Sequence, residues 1–127
     1  MRTLELLRVP FTGANSAFYE PSKATQKMVA VYEGVPTAPF VFAYSEGEIA
    51  EATSLNMPTI VKHFNGYSSI GMTQASRCEN VESMRFQARK MIQAYGGALI
   101  EEFVAGREAT VLVVENPDDP ARPLALQ

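Results

Sequence analysis

The apolar pattern is strongest between residues 80 and 95. Val81, Met84, Ala88, Met91, Ile92 and Tyr95 recur at three- and four-residue intervals, while Glu82, Arg85, Arg89 and Lys90 fall largely elsewhere. That period lays one apolar stripe along a helix, which Gly96-Gly97 ends. Ala24, Met28, Val31 and Tyr32 repeat the period more weakly and predict a helix over 22–32, with Pro21 in its first turn and Gly34 as its stop. Ile49, Ala52 and Leu55 give a modest stripe to a helix over 46–55, closed by Asn56 and Pro58. Thr3 to Arg8 reads as the last turns of a helix. Short apolar runs at 40–43 and 59–62 predict strands, and 72–76 predicts a return strand after Gly71. Residues 98–104 and 109–115 read as two strands joined through Ala105-Gly-Arg107 in an antiparallel hairpin. The segments 9–15, 63–71 and 116–123 are loops, marked by Pro and Gly. The expected fold class is therefore α+β, an antiparallel sheet flanked by helices.

Composition narrows the setting more than the function. The 127 residues are 46% hydrophobic and 20% charged, ordinary for one domain able to bury a core. A formal net charge of -3 gives no general attraction to a polyanion, so nucleic acid is not an expected partner. Cys78 is the single cysteine and cannot form an internal disulfide, and the N-terminus lacks the basic and apolar regions of a secretory signal. No apolar run approaches the roughly 18 residues of a membrane span. These features suit a reducing cytoplasm. Both ends read as cut, the first helix having nothing before it to pack on, so the chain is expected to be a segment of a larger protein.

The polar residues that could carry chemistry occur in order between 57 and 108. Lys62 closes the run Thr59-Ile-Val61, where a sheet can fix its charge against a phosphate; the alternative is an ordinary edge lysine. Gly66 and Gly71 allow close backbone approach and Ser68 and Ser69 add hydroxyls, so this loop can wrap phosphate oxygens or be a plain surface turn. On a strand over 98–104, Glu101 and Phe103 share one face and Glu102 takes the other. The end of that strand can offer backbone groups to an adenine edge, and Glu108 can accept from ribose hydroxyls, although lone glutamates more often face solvent. Lys23 and Lys27 share a helix face, with Lys23 nearer the anion-favouring N-terminus. His63 is the only histidine, which excludes a multi-histidine metal site and leaves a loop or supporting role. Cys78 is expected to be buried or inert. No Gly-x-Ser-x-Gly signature supports a hydrolase. A cation, a flexible loop and separated acids together suit a nucleoside triphosphate, and ATP binding is the expected function.

The same ordered set resembles the ATP-grasp superfamily and, within it, the D-alanine:D-alanine ligase family. The likeness runs through Leu4-Glu-Leu-Leu-Arg-Val-Pro-Phe-Thr-Gly13, Lys23-Ala-Thr-Gln-Lys27 and Gly34-Val-Pro-Thr-Ala-Pro39. It continues in Pro58-Thr-Ile-Val-Lys62, Ser68-Ser-Ile-Gly-Met72 and Ile100-Glu-Glu-Phe-Val-Ala-Gly-Arg-Glu108. It implies that Lys23 and Lys62 contact ATP phosphates and that loop 66–71 closes over them with Ser68 and Ser69, Ser68 being assigned a catalytic part. It also implies that Glu101, Phe103 and Val104 recognise adenine and that Glu108 binds ribose. In the family, ATP phosphorylates a carboxylate and an amine attacks the acyl phosphate, with Mg2+ neutralising phosphate charge.

Three positions depart from the family pattern. Ser22 stands where an acid usually precedes the first lysine, His63 where proline follows the second, and Tyr67 where the loop has glycine. The resemblance assigns 1–43 to the end of an N-terminal domain with its connecting helix, and 44–127 to the central ATP-binding subdomain without its C-terminal part. The magnesium ligands are expected downstream, so no metal-binding residue is assigned in the chain, and these residues alone are expected to lack ligase activity. The expected partners are ATP and a small amino or carboxy acid, with room for a homodimer in the full-length protein. The alternatives are a ligase for a different acceptor and a non-catalytic nucleotide-binding or interaction module.

Overall fold

Four strands, Phe40–Ala43 (β1), Thr59–His63 (β2), Arg77–Cys78 (β3) and Ala98–Glu102 (β4), form an antiparallel sheet in the order β1-β4-β2-β3. This is the arrangement in a computed structural model that describes residues 2–16 and 21–126. Ala98, Leu99, Ile100 and Glu101 are all buried, as befits a central strand with both edges paired. Strand period then sorts the two faces. Ala98 and Ile100 of β4 join Val61 of β2 and Ala43 of β1 in one apolar core. Glu101, Lys62 and Phe40 occupy the alternate positions and face the other way.

Helices cover the first face. Glu46–Glu51 (α3) lies against β1 through Ile49, and Val81–Tyr95 (α4) lies across β2 and β4 through Met84, Ala88 and Met91. Both start on capping boxes, Ser45 with Glu48 and Asn80 with Ser83, so their first orphan N–H groups are satisfied locally. Gly96 ends α4 in the left-handed region at φ 83°. On the second face stands Lys23–Tyr32 (α2), capped by Ser22, whose side chain accepts from the Thr25 N–H. Arg2–Leu6 (α1) precedes it, and Leu112–Val114 (β5) pairs with Leu124–Leu126 (β6) in a separate two-stranded sheet.

Several expected boundaries change. The hairpin between 98–104 and 109–115 does not form. β4 has β1 on one edge and β2 on the other, so neither edge remains for residues 109–115, and β5 turns to β6 instead. The strand expected at 72–76 is a turn and a short 3-10 helix, Gln74–Ser76, closed by Thr73 and Ser76, with β3 only two residues long. The helix expected over 46–55 is α-helical to Glu51 and tightens to 3-10 over Ala52–Ser54. Ser22 is the cap of α2 rather than part of it, which leaves Pro21 outside the first turn. Gln127, the end of the final apolar run, lies outside the described residues.

Candidate functional site

Glu101 is 5% exposed and carries an ion pair on each oxygen. The Lys27 ammonium holds one, and the Lys62 ammonium holds the other at 2.6 Å. The register explains the second contact, because Glu101 lies opposite Ile60 and the neighbouring same-face position of β2 is Lys62. Lys27 arrives from α2. It is further fixed by the Thr37 hydroxyl at 2.6 Å and the Ala38 carbonyl at 3.4 Å, and sits 4.9 Å above the Phe40 ring. Burial alone raises the Glu101 carboxyl, and this is the largest single influence; the hydrogen bonds and charges of the two lysines together outweigh it and hold the group below its ordinary value. Glu101 is therefore an ionised carboxylate, an acceptor with no proton to donate. It lines a cavity of ≈ 240 Å³ together with Lys23, Lys27, Lys62, Thr37 and Leu99.

A second cavity of ≈ 340 Å³ lies alongside. Lys23 and Lys62 line this one too, with Ser68, Ser69, Tyr67, His63 and, from a distant segment, Glu108. Its floor is a turn in which the Ile70 N–H donates to the Tyr67 carbonyl at 3.2 Å and both central residues are left-handed, Ser68 at φ 53° and Ser69 at φ 56°. Positive φ at both central positions is the signature of a type I′ turn, sterically costly for serine. Successive N–H groups of such a turn make a concavity suited to an anion.

The first half of the loop is tied to the start of α2. The Tyr67 hydroxyl donates to the Pro21 carbonyl at 2.7 Å, the Lys23 N–H donates to Asn65 Oδ1 at 3.2 Å, and the Lys23 ammonium lies 5.5 Å from the Tyr67 ring centre. His63 closes β2, stacks on Phe64, leans on Tyr95 and accepts from the Asn65 N–H through Nδ1 at 3.0 Å. A Cβ on Gly66 would stand 2.7 Å from the His63 ring, and one on Gly71, at φ 72°, 2.8 Å from the Tyr95 ring. The glycines thus seat the loop on two aromatic rings, a use that the sequence reading, which gave them to phosphate approach, did not contain.

The arrangement brings Lys23, Lys62, Ser68, Ser69 and Glu108 around one cavity and places Glu101 in the next. Phe103 and Val104 are not part of either lining. The Phe103 N–H is already bound to the Pro58 carbonyl at 2.9 Å, so the backbone donor expected there is spent on the sheet, and the Phe103 ring carries Arg77 at 4.5 Å. Val104 follows beyond the last ladder bond and is exposed. Glu102 points away, as strand alternation requires, and accepts from the Asn56 backbone and side chain. Cys78 is buried, and that burial pushes its thiol up. Sequence reasoning noted Lys27 only as a neighbour of Lys23; its place four residues on, facing a strand that carries one inward acid, was the available signal.

These features define an α+β domain with helices packed on one face of an antiparallel sheet and a cation-lined polar cleft on the other. The chain belongs to the D-ala D-ala ligase C-terminus family, which matches residues 29–125. It is 35% identical over 133 residues to the D-alanine--D-alanine ligase of Desulforudis audaxviator, covering 95% of this chain and 40% of that protein. Against the same enzyme of Pelotomaculum thermopropionicum it is 29% identical, covering 95% and 41%. The crystal structure of D-alanyl-alanine synthetase A from Vibrio cholerae superposes with a TM-score of 0.76 at 19% identity, over 98% of this chain and 38% of that one. The fold is thus that of the ligase, and the chain spans about two fifths of the length of the curated relatives it matches.

Proposed function

We propose that this chain holds the nucleotide in an ATP-dependent carboxylate-amine ligase of the D-alanine:D-alanine type. The observation that carries the proposal is the convergence of Lys23, the Ser68-Ser69 turn, Lys62 and Glu108, from four separate segments, on one cavity. Two ammonium groups and a concave run of N–H groups match a polyphosphate, and Glu108 at the same cavity suits the ribose hydroxyls. The ionised Glu101 next door accepts from the exocyclic amine at C6 of adenine, where guanine carries a carbonyl. Val104, free of the sheet, completes the base contact, whereas Phe103 contributes packing. Ser68 steadies the transferring phosphoryl group from the left-handed turn.

In the longer protein the reaction joins two amino acids, D-alanine being the first substrate to try, through an acyl phosphate that an amine then attacks. Residues 1–43 then end a preceding domain and 44–127 form the ATP-binding subdomain. The described residues do not fit a magnesium site: no group of three or more His, Cys, Asp or Glu comes together, and the charge of Glu101 is already balanced by two lysines. Magnesium ligands belong to other segments of such a ligase. No described helix is long and apolar enough to cross a membrane, which accords with work in the cytoplasm. A full-length homodimer is compatible with this arrangement.

Calorimetric titration of the 127-residue chain with ATP tests the binding half, with Lys62→Ala and Lys23→Ala alongside. Saturable binding that each variant weakens by about tenfold, the scale of one charge-assisted contact, supports it. A folded chain that takes up no ATP, or variants that bind as well as the wild type, would overturn it.

A further inference from the structure

Two lysines on one carboxylate are one more than charge balance needs, and they are not equivalent. The Lys27 side chain is 14% exposed and is also bound by Thr37, Ala38 and the Phe40 ring, whereas Lys62 is 32% exposed and, among the described residues, has Glu101 as its only ion-pair partner. Lys62 also lines both cavities, and its flexible stem lets the ammonium turn toward either one. Lys27 lines only the Glu101 side.

We infer that Lys27 is the standing counterion of Glu101, a positioning residue whose role is to let Lys62 leave for a polyphosphate without stranding a buried carboxylate. A buried carboxylate deprived of its sole partner is costly, and its usual response is to take up a proton. With Lys27 present, Glu101 keeps a partner whichever way Lys62 points. Without it, recruiting Lys62 must either break the last ion pair or protonate Glu101. The inference rests on the phosphate role proposed for Lys62, and it concerns a residue that the proposed nucleotide contacts do not include.

The probe is inorganic tripolyphosphate, which has no base and so removes any part Glu101 plays toward adenine. Binding to the 127-residue chain is measured by calorimetry near neutral pH in buffers of different ionisation enthalpy, which gives affinity and proton uptake together. Lys27→Met is expected to bind roughly tenfold or more weakly than wild type and to take up a proton that wild type does not. The double variant Lys27→Met with Glu101→Gln, which removes the stranded charge, is expected to return to within about threefold of wild type, as is Lys27→Arg. A merely structural Lys27 would give neither the proton nor the rescue. If Lys27→Met does not fold, the double variant decides: folded with wild-type affinity supports the inference, and folded with affinity lost overturns it. Wild-type binding with Lys27→Met equally tight and no added proton uptake overturns this inference alone. A folded wild type that ignores tripolyphosphate overturns the phosphate reading beneath it.

Discussion

The Tyr67 hydroxyl donates to the Pro21 carbonyl across 2.7 Å and so fastens the middle of the serine loop to the foot of α2. Family likeness places a glycine at this position, which could make no such bond, so here the loop has a side-chain latch. A single neutral hydrogen bond at a partly buried site contributes about 1 kcal/mol. Tyr67→Phe keeps the ring beside Lys23 and removes only the latch. Its melting temperature should fall by no more than a few degrees. Amide hydrogen exchange at 66–71 should accelerate well beyond that at α4, because the lost bond constrains the loop and not the core. Uniform acceleration across the chain would show that the bond holds the fold and not the loop.

Ser68 and Ser69 occupy a backbone region that glycine enters freely and serine does not. Ser69→Gly therefore removes steric cost from the folded state while adding freedom to the unfolded one, and the two effects leave stability within about 1 kcal/mol of wild type. Binding should move differently. Losing one hydroxyl and the fixed turn geometry should weaken ATP by roughly three- to tenfold. Urea denaturation and ATP titration on the same samples separate the two. Stability and affinity falling together would mean that the serine holds the loop's structure and not its ligand.

What the sequence made legible follows from how local each signal is. The stripe from Val81 to Tyr95 and the caps around it are properties of a few adjacent residues, and α4 forms where the period places it. The alternation in Leu99-Ile-Glu101-Glu102 placed the two glutamates on opposite faces, as the structure does. Pairing is not local. Nothing in 98–115 states that β4 will be flanked by β1 and β2, and a Gly-containing link between two apolar runs reads as a hairpin until those competitors are counted. Lys27 was missed for a related reason: its partner lies 74 residues away, and its value comes from burial that only the assembled sheet supplies. The Ser68-Ser69 turn was legible as a loop but not as left-handed, since nothing in a serine pair announces positive φ.

Ile100 offers a test of the sheet order. It is fully buried, lies in the central strand opposite both Val41 and Val61, and belongs to the core shared with α4. Ile100→Ala should cost about 3–4 kcal/mol by lost burial and a cavity that paired strands cannot collapse. Val113→Ala, in the exposed two-stranded sheet, should cost under about 1 kcal/mol. Comparable losses at the two positions would contradict the central place of β4.

The pH dependence of stability should carry the signature of Glu101. Its carboxyl sits below the ordinary value because the lysines outweigh burial, so the folded state favours the ionised form. Such a group contributes stability that is fully present above the unfolded carboxylate pKa of about 4.3 and is lost as pH falls through the lower folded value. Glu101→Gln should accordingly be less stable than wild type near pH 7, by roughly 2–4 kcal/mol for a largely buried pair. Glu5, Glu46 and Glu48 are also lowered, but they are common to both proteins, so they cancel in the difference. Urea midpoints of both proteins between about pH 7 and pH 2.5 measure it. The gap should hold steady down to the ordinary carboxylate range and close only below it. A gap already closing between about pH 7 and pH 5 would mean that burial outweighs the lysines and that Glu101 is held partly protonated. In that case the carboxylate would donate as well as accept, and the standing-counterion role of Lys27 would lose its physical basis.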